Sequence, residues 1–170
     1  MTLEFEALSL TPGQPIICPV QTVEEDWIDY NGHLNMAFYN VLFDRAVDHV
    51  YDHLGIGSEY AASGIGSCFT VEVHLHYLQE LALHDEVEIH FQLLGYDSKR
   101  LHFFEHMFHR KAGYLAATSE QMGLHVSMQT RRAEEFPAEV LTRLERLSMA
   151  HASIPQPDQV GHRMGIPSKH

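Results

Sequence analysis

The sequence is poor in cysteine, in basic residues and in long apolar runs. Its two cysteines, Cys18 and Cys68, form neither a disulfide framework nor a spaced metal site, so reduced thiols are expected. The chain has 11 Lys and Arg against 23 Asp and Glu, a formal net charge of −12. This charge argues against nucleic acid or an anionic membrane as the main partner. The apolar runs are too short to span a membrane, and the acidic N-terminus is unlike a secretory signal, so a cytoplasmic protein is expected.

The composition is otherwise that of a soluble globular protein. Hydrophobic residues make up 45% of the 170 residues and charged residues 20%, which suits a single domain with a real core. We expect that core over about residues 15–132, followed by a C-terminal helix and an irregular tail over residues 133–170. The 14 histidines are scattered without metal-ligand spacing. Most are therefore expected to face solvent, and no metal site is predicted.

Residues 26–39 join a predicted strand to a predicted helix. Asn35 is a good N-cap and Gly55 is a suitable stop, so a long helix is expected between them. The apolar residues of this segment recur at helical spacing and are Phe38, Leu42, Phe43, Ala46, Val47, Val50, Tyr51 and Leu54. A stripe this broad requires a large surface to cover it.

Predicted strands supply that surface. Ile16–Val23 is predicted as a first strand, with Pro15 and Pro19 favouring an edge position or a bulge. Four further runs with period-two alternation predict antiparallel strands at Phe69–Tyr77, Val87–Leu93, Leu101–Arg110 and Tyr114–Thr130. The fold is therefore predicted as α+β, an antiparallel sheet of about five strands wrapped around one long helix. Glu134–Leu147 is predicted as a short helix, and the tail from Ser148 as irregular or partly mobile.

A carboxylate, a glycine, a histidine and an asparagine stand around the start of the long helix at Asp29, Gly32, His33 and Asn35, with Tyr39 one turn further on. This arrangement resembles the Asp-x-x-Gly-[His/x]-x-Asn loop of hot-dog-fold acyl-CoA thioesterases of the 4-hydroxybenzoyl-CoA thioesterase type. The resemblance implies a hot-dog fold, an acyl-CoA substrate, no cofactor, and a homodimer or dimer of dimers. The overall run, including residues 161–166, is similar to a bacterial subgroup that includes betainyl-CoA thioesterases of carnitine breakdown.

Thioester hydrolysis requires a carboxylate that activates water or attacks the carbonyl, and donors that stabilise the oxyanion. We predict Asp29 as the carboxylate, and the resemblance assigns the same role to this position. The backbone N–H groups around Gly32 to Asn35 are predicted as donors, because a helix N-terminus favours an oxyanion. His33 and Asn35 would orient the loop or touch the thioester, whereas Asp26 does not match the pattern. The alternative is an ordinary helix cap, which uses the same residue types.

Aromatic and acidic residues are the candidates for holding the acyl group. Trp27, Tyr30 and Tyr39 are predicted to line its pocket, with core packing as the alternative, more so for Tyr39 than for Tyr30. Glu120 falls on an even-numbered strand face that reads as apolar, where a carboxylate is costly unless it is paired. It is either a pocket carboxylate or is turned outward by a bulge near Gly123. Trp27, Tyr30 and Glu120 would suit a quaternary ammonium group.

Three basic doublets punctuate the strands at Lys99–Arg100, Arg110–Lys111 and Arg131–Arg132. If the strands after Lys99 and before Arg131 pair antiparallel, the first and last doublets lie at the same end of the sheet. They would form a local phosphate site there, with Arg131 and Arg132 as the preferred pair for coenzyme A. Solvated strand ends are the alternative.

Two other functions remain open at this point. A hot-dog enoyl-CoA hydratase would add water across an enoyl thioester, but it needs an Asp/His pair that the sequence does not clearly show. A non-catalytic acyl-CoA binding protein would bind without turnover, usually beside a DNA-binding module, which this acidic chain does not obviously contain.

Overall fold

The computed structural model describes residues 10–166. Residues 1–9 and the end of the tail, residues 167–170, lie outside the described part. The strands are β1 (Ile16–Ile17), β2 (Gln21–Thr22), β3 (Gly66–Tyr77), β4 (Glu86–Tyr96), β5 (Arg100–His109) and β6 (Leu115–Ser127). The helices are α1 (Met36–Leu54), α2 (Ser58–Ala62) and α3 (Ala138–His151), with a 3-10 turn at Glu25–Trp27.

The strands form one antiparallel sheet in the order β1-β4-β5-β6-β3, and β2 also pairs with β4. The predicted first strand is broken into β1 and β2, which is why the sheet has six strands rather than about five. The break contains Pro19, which has no N–H to donate to the ladder. The α+β architecture is the predicted one.

Helix α1 begins and ends where its sequence predicts. The Asn35 side chain accepts a hydrogen bond from the Ala37 N–H at 2.9 Å, and Gly55 adopts the left-handed conformation at φ 79°. The predicted apolar stripe is buried against the sheet, apart from the half-buried Phe38. Among the helices within residues 10–166, none combines the length and apolar character that crossing a membrane requires.

The side chains of β3 that face α1 change from even-numbered to odd-numbered residues halfway along the strand. A register shift between Thr70 and Glu72 leaves Val71 as an extra residue, which is a β-bulge. Before the bulge Cys68 faces α1, since its Sγ lies 3.5 Å from a tyrosine hydroxyl of that helix. After it, the odd-numbered residues up to Tyr77 face α1. The predicted single alternation from Phe69 to Tyr77 is therefore wrong across the bulge.

The C-terminal helix is displaced from its predicted position. Helix α3 spans Ala138–His151 rather than Glu134–Leu147. Proline disfavours the helical conformation of the residue before it, so the helix starts only after Pro137. Ser148 and the residues up to His151 are helical, and the chain beyond them is irregular but packs on the sheet.

Candidate active site

A compact loop holds Asp29 at the mouth of α1. Ile28 and Leu34 form an isolated antiparallel bridge that closes the loop. Inside it, the Asp29 N–H donates to the His33 carbonyl at 2.9 Å and the Gly32 N–H to the Asp29 carbonyl at 3.0 Å. Gly32 has φ +82°, a conformation that residues with a Cβ rarely adopt. The turn therefore favours glycine at this position.

The Asp29 carboxylate is half-buried and held in place. Its Oδ1 accepts the backbone N–H of Asn31 at 2.7 Å, and its Oδ2 lies 3.5 Å from the Asn31 amide nitrogen. Asp29 lines a cleft of about 300 Å³ together with Leu34, Met36, Tyr39, Tyr77, Leu78, Gln79 and Glu80. A carboxylate with a fixed orientation in a cleft suits acid–base or nucleophilic chemistry.

The second wall of this cleft comes from the end of β3 and the turn after it. The Tyr77 hydroxyl donates to the Met36 carbonyl at 3.3 Å, and the Tyr39 hydroxyl donates to the Gln79 carbonyl at 3.3 Å. The Tyr39 and Tyr77 rings meet edge-on, with centroids 5.2 Å apart. Sequence reasoning did not select Tyr77, Met36 or Gln79. No local motif marks Tyr77 and Gln79, because they reach the loop only through strand pairing, whereas Met36 directly follows Asn35 and contributes through its backbone.

The helix mouth offers fewer free donors than predicted. Three of the four N–H groups in residues 32–35 donate to backbone carbonyls, those of Asp29, Leu81 and Trp27. The Met36 N–H, in the first turn of α1, donates to no acceptor within residues 10–166. Since Met36 lines the cleft, its N–H is the best-placed oxyanion donor.

His33 and Asn35 occupy different positions. His33 Nε2 lies 3.3 Å from Glu80 Oε1 and so connects the loop to the second wall. Asn35 uses its side chain to cap α1 through Ala37, which is the ordinary cap that was the alternative. The roles of both residues in the reaction stay predictions.

The three aromatic residues predicted to line the pocket lie in three different environments. Trp27 is buried between the Phe38 ring, with centroids 5.3 Å apart, and the Arg45 guanidinium, 4.9 Å from its ring centroid. Tyr30 is 98% exposed. Tyr39 lines the cleft, and burial raises the pKa of its hydroxyl to about 12. The single chain therefore brings only Tyr39 of these three beside Asp29.

Glu120 lies on the outer face of the sheet, opposite α1, and not in the cleft. Its carboxylate contacts His102 Nε2 at 2.7 Å and accepts the Gly161 N–H at 2.8 Å. The prediction that its face belongs to the apolar core is wrong. No bulge at Gly123 turns it outward. Gly123 itself faces α1, since a Cβ there would lie 2.5 Å from the Tyr51 hydroxyl.

The first and last basic doublets lie at one end of the sheet, as predicted. Arg100 pairs with Leu124, and the Arg132 carbonyl accepts the Ser127 N–H at 3.0 Å. We call this region the basic end, formed by Lys99, Arg100, Arg131 and Arg132. The Asp29 cleft is at the opposite end, because Leu78 in its wall bonds to Ala116 near the start of β6. At 13 residues, β6 spans about 40 Å, so the basic end is far from Asp29 in one chain.

Residues 23–144 match the model of the Thioesterase-like superfamily, which is more than half of the chain. The chain belongs to this superfamily and has its hot-dog fold. Within it, the chain is an acyl-CoA thioester hydrolase.

Individual relatives are similar over most of the chain. The betainyl-CoA thioesterase of Pseudomonas aeruginosa is 43% identical over 142 residues, 84% of this chain and 89% of the relative. The L-carnitine dehydrogenase/betainyl-CoA thioesterase of Rhizobium meliloti is 34% identical over 92% of this chain, which spans 32% of that longer protein. A hypothetical protein of Staphylococcus aureus, solved in complex with CoA, is 32% identical with a TM-score of 0.85, over 92% of this chain and 98% of that one.

Proposed function

We propose that the chain hydrolyses betainyl-CoA and that Asp29 is its catalytic carboxylate. The observation that carries the proposal is the Asp29 carboxylate, fixed by Asn31 in a cleft that also contains the free Met36 N–H. The acyl group is taken from the name of the Pseudomonas aeruginosa relative and from the chemistry of the cleft lining.

The carboxylate and the donor divide the reaction between them. Asp29 would either activate a water or attack the thioester carbonyl, and the coenzyme A thiolate would leave. The Met36 N–H, at the positive end of α1, would stabilise the oxyanion that forms on the carbonyl oxygen. The side chain of His33, paired with Glu80 at 3.3 Å, would hold the loop in place during the reaction.

The cleft lining suits a quaternary ammonium acyl group. Tyr39 and Tyr77 present two rings that meet edge-on, and Glu80 adds a carboxylate on the same wall. Aromatic faces and a carboxylate together bind a cation that cannot donate hydrogen bonds. In this proposal they replace Trp27, Tyr30 and Glu120, none of which lines the cleft.

The active form in this proposal is a homodimer joined through β3. Strand β3 is 12 residues long and stands at the edge of the sheet, so within residues 10–166 no strand pairs with its outer backbone groups. Its middle is exposed, including Phe69, Val71 and Val73. A long exposed apolar edge is an association site, and a second copy pairing antiparallel would cover it symmetrically.

Such a dimer would bring the two separated parts of the site together. Antiparallel pairing places Gly66 of one β3 opposite Tyr77 of the other. The basic end lies beside Gly66, since the Met128 N–H bonds to the Ile65 carbonyl at 3.1 Å. Arg131 and Arg132 of one chain would then bind the coenzyme A phosphates of a substrate whose thioester lies at Asp29 of the other.

The test is a thiol-release assay over a panel of acyl-CoA esters that includes betainyl-CoA. Asp29→Asn keeps the side-chain size and removes the charge, so kcat/KM should fall a hundredfold or more, about 3 kcal/mol of barrier. Asp26→Asn is the matched control, because Asp26 is exposed on the neighbouring 3-10 turn and should leave kcat/KM unchanged.

Each contrary result has a definite meaning. A folded Asp29→Asn protein with full activity would remove Asp29 from catalysis. Release of thiol from other esters but not from betainyl-CoA would refute the acyl group alone. Hydration of an enoyl-CoA, or binding without turnover, would favour the two other functions. In a single turnover in labelled water, label in Asp29 would identify it as the nucleophile, because water then cleaves an aspartyl–acyl anhydride at the Asp29 carbon and a general base forms no such bond.

A further inference from the structure

The chain after α3 crosses the outer face of the sheet. We call residues 152–162 the C-terminal strap. Two of its carbonyls accept from Gln92 Nε2 on β4, at 3.4 and 3.3 Å. One of its N–H groups donates to Glu120 on β6 at 2.8 Å. At its end, the His162 ring meets the His76 ring of β3 edge-on, with centroids 4.7 Å apart. The strap therefore spans the sheet from β4 to the β3 edge.

The root of the strap depends on a neutral imidazole. His151, the last residue of α3, is buried, and its Nδ1 accepts the Leu93 N–H at 2.9 Å. Its Nε2 is buried without a hydrogen-bond partner in the described part of the chain. Burial lowers the pKa of His151 to about 4. A proton on Nδ1 would replace the Leu93 hydrogen bond with two opposed N–H groups.

The end of the strap depends on neutral imidazoles as well. His74 Nε2 and His76 Nε2 lie 3.2 Å apart, which requires one ring to donate and the other to accept. Burial, His74 and His162 lower the pKa of His76, and Glu120 opposes them. Within residues 10–166, no group of three or more His, Cys, Asp or Glu side chains is arranged to hold a metal ion. The contacts among His74, His76 and His162 are therefore explained by the packing of the strap on β3.

Histidines outnumber carboxylates where the sheet and the strap meet. The titratable groups on both sides are Glu88 and His90 of β4, His102 and His106 of β5, Glu120 of β6, Glu72, His74 and His76 of β3, and Asp158 and His162 of the strap. Two carboxylates are already paired, Glu88 with His90 and Glu120 with His102, each at 2.7 Å. A proton added to His76 or His106, whose pKa values burial lowers, would therefore put positive charge between the strap and the sheet.

We propose that the C-terminal strap is a pH-sensitive latch, closed over the outer face while His151 at its root and His76 at its far end are neutral, and released in mild acid. A histidine whose pKa is lowered in the closed state binds fewer protons there than in the open state. Closure is therefore strongest above the ordinary imidazole pKa and weakens as the pH falls below it. Release would also free His76, the neighbour of Tyr77 in the cleft wall. The latch does not rest on the proposed function.

Hydrogen exchange of the full chain, followed by mass spectrometry, measures the latch directly. Between about pH 7.5 and about pH 5.5, with rates corrected for intrinsic pH dependence, protection of the strap should fall about tenfold from His151 alone. His151→Asn should abolish most of this change, because an amide oxygen accepts the Leu93 N–H without titrating. His84→Asn is the matched control, since His84 is exposed and its φ of 68° suits asparagine.

A second variant tests the far anchor at neutral pH. Glu120→Ala removes the acceptor of the strap N–H, so exchange at the end of the strap should rise about tenfold at about pH 7.5. Unchanged exchange in Glu120→Ala would overturn that anchor. Equal strap protection at both pH values, or equal loss of protection in β4 and β5, would overturn the latch, the second because it indicates global unfolding.

Discussion

Mixed dimers offer the sharpest test of how the proposed active site is assembled. One chain carries Asp29→Asn and an intact basic end. The other carries intact Asp29 with Arg131→Ala and Arg132→Ala. In a heterodimer with shared sites, Asp29 of the second chain meets the intact arginines of the first, so one of the two sites is native. If each chain used its own arginines, neither site would be native.

The expected recovery follows from counting. Random pairing of equal amounts makes half of the dimers mixed, and each has one native site of two, so activity should return to about a quarter of the wild-type value. The arginine variant alone should lose about thirtyfold in kcat/KM, because two charge-assisted phosphate contacts contribute on the order of 2 kcal/mol. The background of the two homodimers is therefore well below the expected signal.

The assay is thiol release at low substrate, after co-expression of the two chains and confirmation of the dimer by light scattering. Activity equal to the average of the two parent variants would refute the shared site. The competing doublet, Arg110 and Lys111, lies at the cleft end of β5, with Arg110 already 3.2 Å from Glu86. Suppose that alanine at Arg110 and Lys111 lowers kcat/KM, and that alanine at Arg131 and Arg132 does not. The coenzyme A phosphates then bind within one chain, and the proposal that the two chains share each site is refuted.

Two stability predictions follow from buried or capping groups on α1 and its covering sheet. Burial raises the pKa of the Glu105 carboxyl well above its usual range. A raised pKa favours the fold in acid and costs stability as the pH rises, so Glu105→Gln should gain on the order of 1 kcal/mol at about pH 8 and little at about pH 4, by urea unfolding. Asn35→Ala removes the cap on Ala37 and should cost about 1 kcal/mol, whereas Asn40→Ala, exposed within α1, should not destabilise; equal losses would contradict the cap.

The local features of the fold were predictable because nearby residues determine them. The start and end of α1 depend on the Asn35 cap and on the left-handed Gly55, and both are visible in the sequence. The break at Pro19 follows from a missing donor. The antiparallel pairing of β5 with β6 follows from a short connection, and it places Lys99 and Arg132 at one end of the sheet.

The predictions that the structure corrects concern features that depend on contacts between residues distant in sequence. The facing of Glu120 depends on strand pairing across the sheet and not on its immediate neighbours. The bulge at Val71 changes which residues of β3 face α1, and an alternating sequence reads the same with or without it. The second wall of the cleft was missed for the same reason, since Tyr77 meets Met36 across 41 positions of sequence.

The histidines show why a polar strand face need not face solvent. Read along each strand, residues such as His74, His90 and His106 alternate with apolar ones and predict a solvated outer face. Strand pairing aligns His90 with His106, and the C-terminal strap then covers part of that surface. The strap contacts this face through two backbone carbonyls, one backbone N–H and the His162 ring. Neutral imidazoles suit such contacts because they both donate and accept hydrogen bonds. Lysines at the same positions would be charged at neutral pH and would disfavour closure of the strap. The six histidines that the strap and the sheet place at this face therefore suit the proposed latch, in which the face is covered at neutral pH and charged in acid.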